Sequence, residues 1–185
     1  MATNYDVIIV GAGPAGIFSA LELNRLGVNK ILLLEKGKPV DKRNCPIGGN
    51  TPSCIECKPC SIMSGWGGAG AFSDGKLTLT TEFGGWLQDY IGPEKLEELI
   101  AYADKIYVEH GAPDRVFGRD DEAVKDLEIK AAHAGLRLVP AVIRHMGTEN
   151  TLNVLNNMYK TLQDKITIKT EESVVDVLIV NQKLQ

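Results

Sequence analysis

A chain of 185 residues is long enough for one domain with an ordinary core, and 44% hydrophobic with 24% charged residues reads as folded, not disordered. The net charge is −4 and Lys and Arg are scattered, which removes the clustered cations a nucleic-acid partner needs. No apolar run is long enough to span a bilayer, and the N-terminus has no basic leader before its first apolar run. The expectation is a cytoplasmic protein with no membrane or nucleic-acid partner. In a reducing compartment, clustered cysteines are more often ligands or redox centres than disulfides.

Residues 5–10 form a continuous apolar run, as expected of a parallel strand buried on both faces. A turn over 11–16 follows, with Pro14 suited to the first turn of the helix it opens. That helix extends to about Leu26 and stops at Gly27, and residues 30–34 form a second buried strand closed by Glu35. The result is a βαβ unit, the start of a parallel sheet. From 37 to about 85 neither the helical nor the strand period survives, and a loop of that length in a compact domain is usually functional. The pattern predicts helices over 93–109, 120–134 and 148–164, an extended segment over 136–143, and strands over 166–170 and 174–180. The last of these reads as the first arm of a hairpin that lacks a second arm.

The sequence VIIVGAGPAG places Gly11, Gly13 and Gly16 at the GxGxxG spacing between a strand and a helix. The first glycine permits the tight turn, the second lets a pyrophosphate approach the backbone, and the third lets helix and strand pack closely. Pro14 and Ala15 complete the turn, whose free N–H groups and positive dipole end suit phosphates. Glu35, followed by Lys36, ends the second strand where a carboxylate can accept ribose hydroxyls. A carboxylate there repels a 2′-phosphate, which disfavours NADP at this site. Further on, Gly67, Gly68 and Ala69 offer backbone amides for a second anion or flavin-contacting surface, while Ser73, Asp74 and Lys76 add polar groups able to reach a flavin edge or a substrate. Trp66, Phe72 and Leu77 anchor this glycine-rich stretch.

The segments VGAGPAG, LLLEKG, CKPC, GGAGAFSDGKL and RHMGTE resemble the N-terminal part of the uncharacterised FAD-dependent, NAD(FAD)-utilising dehydrogenases of bacteria and archaea. The resemblance covers nearly all of the chain. It implies an α/β, Rossmann-like FAD-binding domain of the glutathione-reductase type, here an incomplete part of a larger two-domain flavoprotein. Residues 38–85 would be a Cys/Gly-rich insertion, 86–147 a helical segment, and 148–185 a helix and strands returning to the FAD-binding sheet. By the same likeness Gly11, Gly13, Gly16 and Glu35 hold the ADP half of FAD, Gly67, Gly68 and Ala69 lie near the flavin, and Val174 meets the adenine. The implied activity is dehydrogenase or reductase chemistry on an unnamed small-molecule substrate, with NAD(P)H as a candidate electron donor to the full-length protein and a redox partner protein as a further expectation.

All four cysteines lie on one loop: Cys54, Cys57 and Cys60 form C-x2-C-x2-C, with Cys45 upstream. Four thiolates so spaced can close around a [4Fe–4S] cluster or a zinc ion, or act as redox thiols. The alternative to an oxidoreductase is a non-catalytic flavin-binding or electron-transfer module with structural zinc. No catalytic residue stands out; His145, Lys76 and Asp74 are weak candidates, and Arg144 beside His145 could face a phosphate or carboxylate.

Overall fold

The computed structural model describes residues 4–47, 53–180 and 183–184. The chain divides into two compact units, one of Met1–Phe72 with Leu155–Gln185 and the other of Ser73–Val154. Among the described residues no helix is long and apolar enough to cross a membrane.

The first unit begins with β1 (Val7–Val10), α1 (Pro14–Arg25) and β2 (Ile31–Glu35), the expected βαβ unit. β1 and β2 pair in parallel with Val7 opposite Ile31, and β2 pairs in parallel with β6 (Thr167–Thr170), giving the order β1-β2-β6. β2 is the central strand, and Ile31, Leu32 and Leu33 are buried. β1 is an edge, and here the expectation of burial on both faces fails: Ile8 and Val10 are 46% and 63% exposed. A strand in a doubly covered sheet shows the continuous apolar run of 5–10, but among the described residues only one face of β1 is covered.

Helix α1 follows the sequence closely. Gly13 is its N-cap, Pro14 occupies the first turn where a missing N–H costs nothing, and Gly27 takes φ +84 just beyond the end. Gly16 packs so tightly that an added Cβ would fall 1.9 Å from the carbonyl oxygen of Gly11. Two 3-10 turns, Val40–Lys42 and Ala69–Phe72, punctuate the long segment after β2. Within it Trp66 is fully buried, donates its indole N–H to the carbonyl of Leu155 at 2.9 Å, and meets Tyr159 edge to face. The predicted strand over 174–180 shrinks to β7 (Ile179–Val180), and the chain does hold a second arm, β8 (Lys183–Leu184), paired antiparallel with it.

In the second unit β3 (Lys76–Thr78), β5 (Ile143–His145) and β4 (Val116–Phe117) form an antiparallel sheet with β5 in the middle. Strands of two and three residues carry too little alternation to be read from sequence, which is why β3 and β4 went unforeseen; the extended segment expected over 136–143 holds no strand before Ile143, where β5 begins. The long helix α3 (Pro93–Glu109) has the expected bounds, preceded by the four-residue α2 (Gln88–Ile91). Helix α4 (Asp121–His133) starts at an N-cap, Asp120, whose side chain accepts from the Ala123 N–H. Helix α5 (Thr148–Leu162) runs from this unit into the first. Arg144, on the central strand, is buried and held bidentately by Asp104 of α3 at 2.6 and 2.7 Å, and it also donates to the Pro113 carbonyl.

The contact at Gly16 predicts that Gly16→Ala destabilises the fold by about 1–3 kcal/mol, the usual cost of overpacking against rigid backbone. A urea titration should show a lower midpoint with an unchanged slope.

Candidate nucleotide site

Glu35 organises the end of β2. Its carboxylate is buried and accepts three backbone N–H groups: Ala12 on Oε2 at 2.7 Å, and Gly37 and Gly65 on Oε1 at 2.8 and 2.9 Å. These donors come from the glycine turn, the segment after β2 and the glycine-rich run. Each carboxylate oxygen has about two acceptor positions, so Oε1 is filled and Oε2 keeps one. The sequence reading had this carboxylate accepting both ribose hydroxyls. Most of its capacity is instead spent inside the fold.

A second buried charge at this end of β2 is a cation. Arg43 is buried, and its guanidinium donates to the carbonyls of Ser61, Ile62, Trp66 and Gly68 at 2.6–2.9 Å while lying 4.8 Å from the ring of Phe72. Burial pushes its pKa down, opposed by the charge of Glu35 and then by Cys60. The only sequence signal was an arginine ahead of the cysteine and glycine run, too common a feature to carry a role. Gly37 and Gly65 were also missed. Each sits where a Cβ would come within 2.3–2.5 Å of neighbouring atoms, Gly37 against the backbone of Gly65 and Gly65 against the Arg43 stem.

The glycine-rich run is drawn onto the dinucleotide turn. Gly67 donates its N–H to the Ala12 carbonyl at 2.7 Å, and a Cβ on Gly68 would lie 3.2 Å from the Cα of Gly13. Its amides are therefore not the free anion surface that the sequence suggested. The Gly67 N–H is taken by Ala12 and the Gly68 N–H by the Gly65 carbonyl, which leaves Ala69, exposed, as the remaining member of that trio. Trp66 and Phe72 anchor the stretch as expected.

What the turn leaves open is more telling. Gly13 has φ −74, a conformation any residue adopts, and an added Cβ there would meet no atom within 4 Å. The fold therefore does not itself require glycine at this position. The space over Gly13 adjoins the first turn of α1, where no side chain caps the helix and Ala15 is exposed. Uncapped N–H groups beside a reserved space suit an anion. By that test the cradle suits FAD, which Gly11, Gly13, Pro14, Ala15, Gly16 and the spare position on Glu35 would hold. Lys36 is exposed beside Glu35, and Val174 is 38% exposed and outside any strand.

The cysteines do not assemble as expected. Cys45, Cys57 and Cys60 are half-buried free thiols and Cys54 is exposed, and among the described residues no three His, Cys, Asp or Glu side chains gather into a metal-holding group. A thiolate site of this kind takes its geometry from the ion it binds. At the end of the loop Arg43 donates to the carbonyls of Ser61 and Ile62. The Cys60 thiol accepts from the N–H groups of Met63 and Ile62, which together with Arg43 lower its pKa against the opposing effect of burial.

Ser73, Asp74, Lys76 and His145 belong to the second unit. Lys76 is paired across the β3–β5 ladder with His145 and forms a 2.6 Å ion pair with Asp74. That hydrogen bond holds the Asp74 carboxyl below the usual aspartate range, with the charges of Lys76 and His145 adding to the effect. The three weak catalytic candidates thus share one exposed patch. Ser73 accepts from the Gly75 N–H, and Arg144 is committed to Asp104, which raises its pKa.

Residues 4–43 match the family described as FAD binding domain. Over 176 residues the chain is 32% identical to an uncharacterized protein of Clostridium beijerinckii, covering 95% of this chain and 28% of that one. Over 54 residues it is 44% identical to the FAD-dependent monooxygenase AacuC of Aspergillus aculeatus, covering 29% of this chain and 10% of that one. Among solved structures, the 3-ketosteroid-delta4-(5alpha)-dehydrogenase of Rhodococcus jostii superposes with a TM-score of 0.50 at 16% identity, covering 97% of this chain and 41% of that one. The fold is shared with part of that larger dehydrogenase. At its N-terminus the chain is similar to FAD-binding domains, and it spans little more than a quarter of the length of its Clostridium relative.

Two predictions follow from this geometry. Glu35→Gln offers one acceptor oxygen where three N–H groups need two, and should cost about 1–3 kcal/mol of stability in a urea titration. For Asp74, whose folded value is depressed, the ion pair's contribution is present above the ordinary aspartate range and is lost as pH falls through the folded value. Carboxyl-carbon NMR should show Asp74 titrating low, and Lys76→Met should move it back toward the ordinary range.

Proposed function

We propose that this chain is the FAD-holding part of an FAD-dependent oxidoreductase of dehydrogenase or reductase type. The observation that carries the reading is the space over Gly13, which the fold leaves empty beside the uncapped N-terminus of α1. Bound FAD would supply hydride or electron transfer, and the protein's share is binding, orientation and tuning. The backbone N–H groups of the first turn of α1 and its dipole orient the pyrophosphate. Glu35 gives one hydrogen bond's worth of acceptor to a ribose hydroxyl while its other positions keep the turn rigid. Burial of Glu35 excludes water from those hydrogen bonds. The substrate and an NAD(P)H donor belong to the whole protein, of which this chain covers a fraction.

The test separates the ligand's need from the fold's. Gly13→Ala places a methyl group in the reserved space without touching protein, so its melting temperature should stay within about a degree of wild type, as for substitutions that disturb no packing. Its affinity for FAD, followed by quenching of flavin fluorescence, should fall at least about tenfold, because the pyrophosphate can no longer approach the backbone. Unchanged FAD affinity in a folded Gly13→Ala variant would sink the reading.

A further inference from the structure

A cavity of about 580 Å³ opens immediately after β2, walled by residues of the first unit alone. Lys36, Lys38 and Lys58 line it, opposed by a single carboxylate, Glu171. Asn44, Ser61 and Ser64 add hydrogen-bonding groups, and Pro46 and Pro59 add apolar walls. Cys57 is also in the lining. Among the described residues none of the three lysines takes part in an ion pair.

This concentration of positive charge runs against the chain's net charge of −4. Like charges held around one concavity repel, and a walled site focuses their field on whatever enters. Lysine ammonium groups serve as mobile point charges for phosphoryl oxygens, and hydroxyls and amides complete such contacts. The adenosine end of FAD is neutral and leaves these cations unmatched, while the pyrophosphate is already provided for at the start of α1. The volume falls within the roughly 300–1,000 Å³ of small-molecule sites. We propose that this cavity binds a second ligand, a phosphorylated small molecule other than FAD. Lys36, Lys38 and Lys58 neutralise its phosphoryl groups, Asn44, Ser61 and Ser64 hydrogen-bond them, and the two prolines cover its organic body.

Cys57 makes the site readable. In the wild-type chain, inorganic pyrophosphate at millimolar concentration should slow iodoacetamide labelling of Cys57 at least about fivefold, measured by peptide mass spectrometry. Labelling of exposed Cys54, which is outside the lining, should be unchanged. Lys38→Gln with Lys58→Gln should shift half-protection to at least about tenfold higher pyrophosphate, and Lys38→Arg with Lys58→Arg should restore it. Both pairs alter exposed side chains, and flavin-fluorescence titration should return wild-type FAD affinity for both. The proposal is overturned if pyrophosphate gives Cys57 no protection, or if sodium chloride at equal ionic strength protects as well. It is also overturned if FAD alone shields Cys57 and pyrophosphate competes with it, because the cavity is then part of the flavin site. Loss of FAD binding in Gly13→Ala bears only on the flavin reading, so the two can fail separately.

Discussion

A buried carboxylate is tolerable only when its oxygens are filled, and much of the first unit is arranged to fill those of Glu35. Its three donors lie far apart in sequence: Ala12 in the first turn, Gly37 just after β2, and Gly65 beyond the cysteine loop. Satisfying one side chain therefore fixes where three backbone segments meet. Gly37 needs to be glycine because the Gly65 backbone fills its Cβ position, and Gly65 because it takes φ +124 against the Arg43 stem and the Lys38 carbonyl. Arg43 is the complementary device, one buried cation collecting four carbonyls. Together the pair turns a long aperiodic segment into a fixed wall of the nucleotide turn.

This arrangement changes how the dinucleotide motif works. Gly16 is required by packing, with its Cβ position occupied by the Gly11 carbonyl, whereas Gly13 faces unfilled space. Two glycines of one motif thus answer to different partners, one to the protein and one to a ligand. Because Glu35 is largely consumed by the fold, recognition at this end rests on backbone N–H groups and helix polarity more than on side chains. A site of that kind is rigid before any ligand arrives, since the groups that would contact it are held by the same hydrogen bonds that hold the fold.

The second unit shows the same economy in smaller form. Arg144 sits on the central strand beside His145, a sequence position that invites a substrate-facing role, yet its guanidinium is closed off by Asp104 and the Pro113 carbonyl. A sequence shows that an arginine is present and not which carboxylate it will meet forty residues away. The cysteines teach a similar lesson: their spacing permits a metal site, but spacing constrains only the distance along the chain.

The sequence by itself determined the elements whose forces are local. The βαβ start, the bounds of α3 and the glycine turn follow from period and backbone freedom over a few residues, and those signals are written in adjacent positions. Only the tertiary structure decided the rest: that β1 is an exposed edge, that β3 and β4 pair with β5, that Glu35 faces inward, and that Arg43 holds the glycine run. Each of these depends on partners 20 to 90 residues apart in the chain, and no local pattern encodes which distant group will fill a given hydrogen bond.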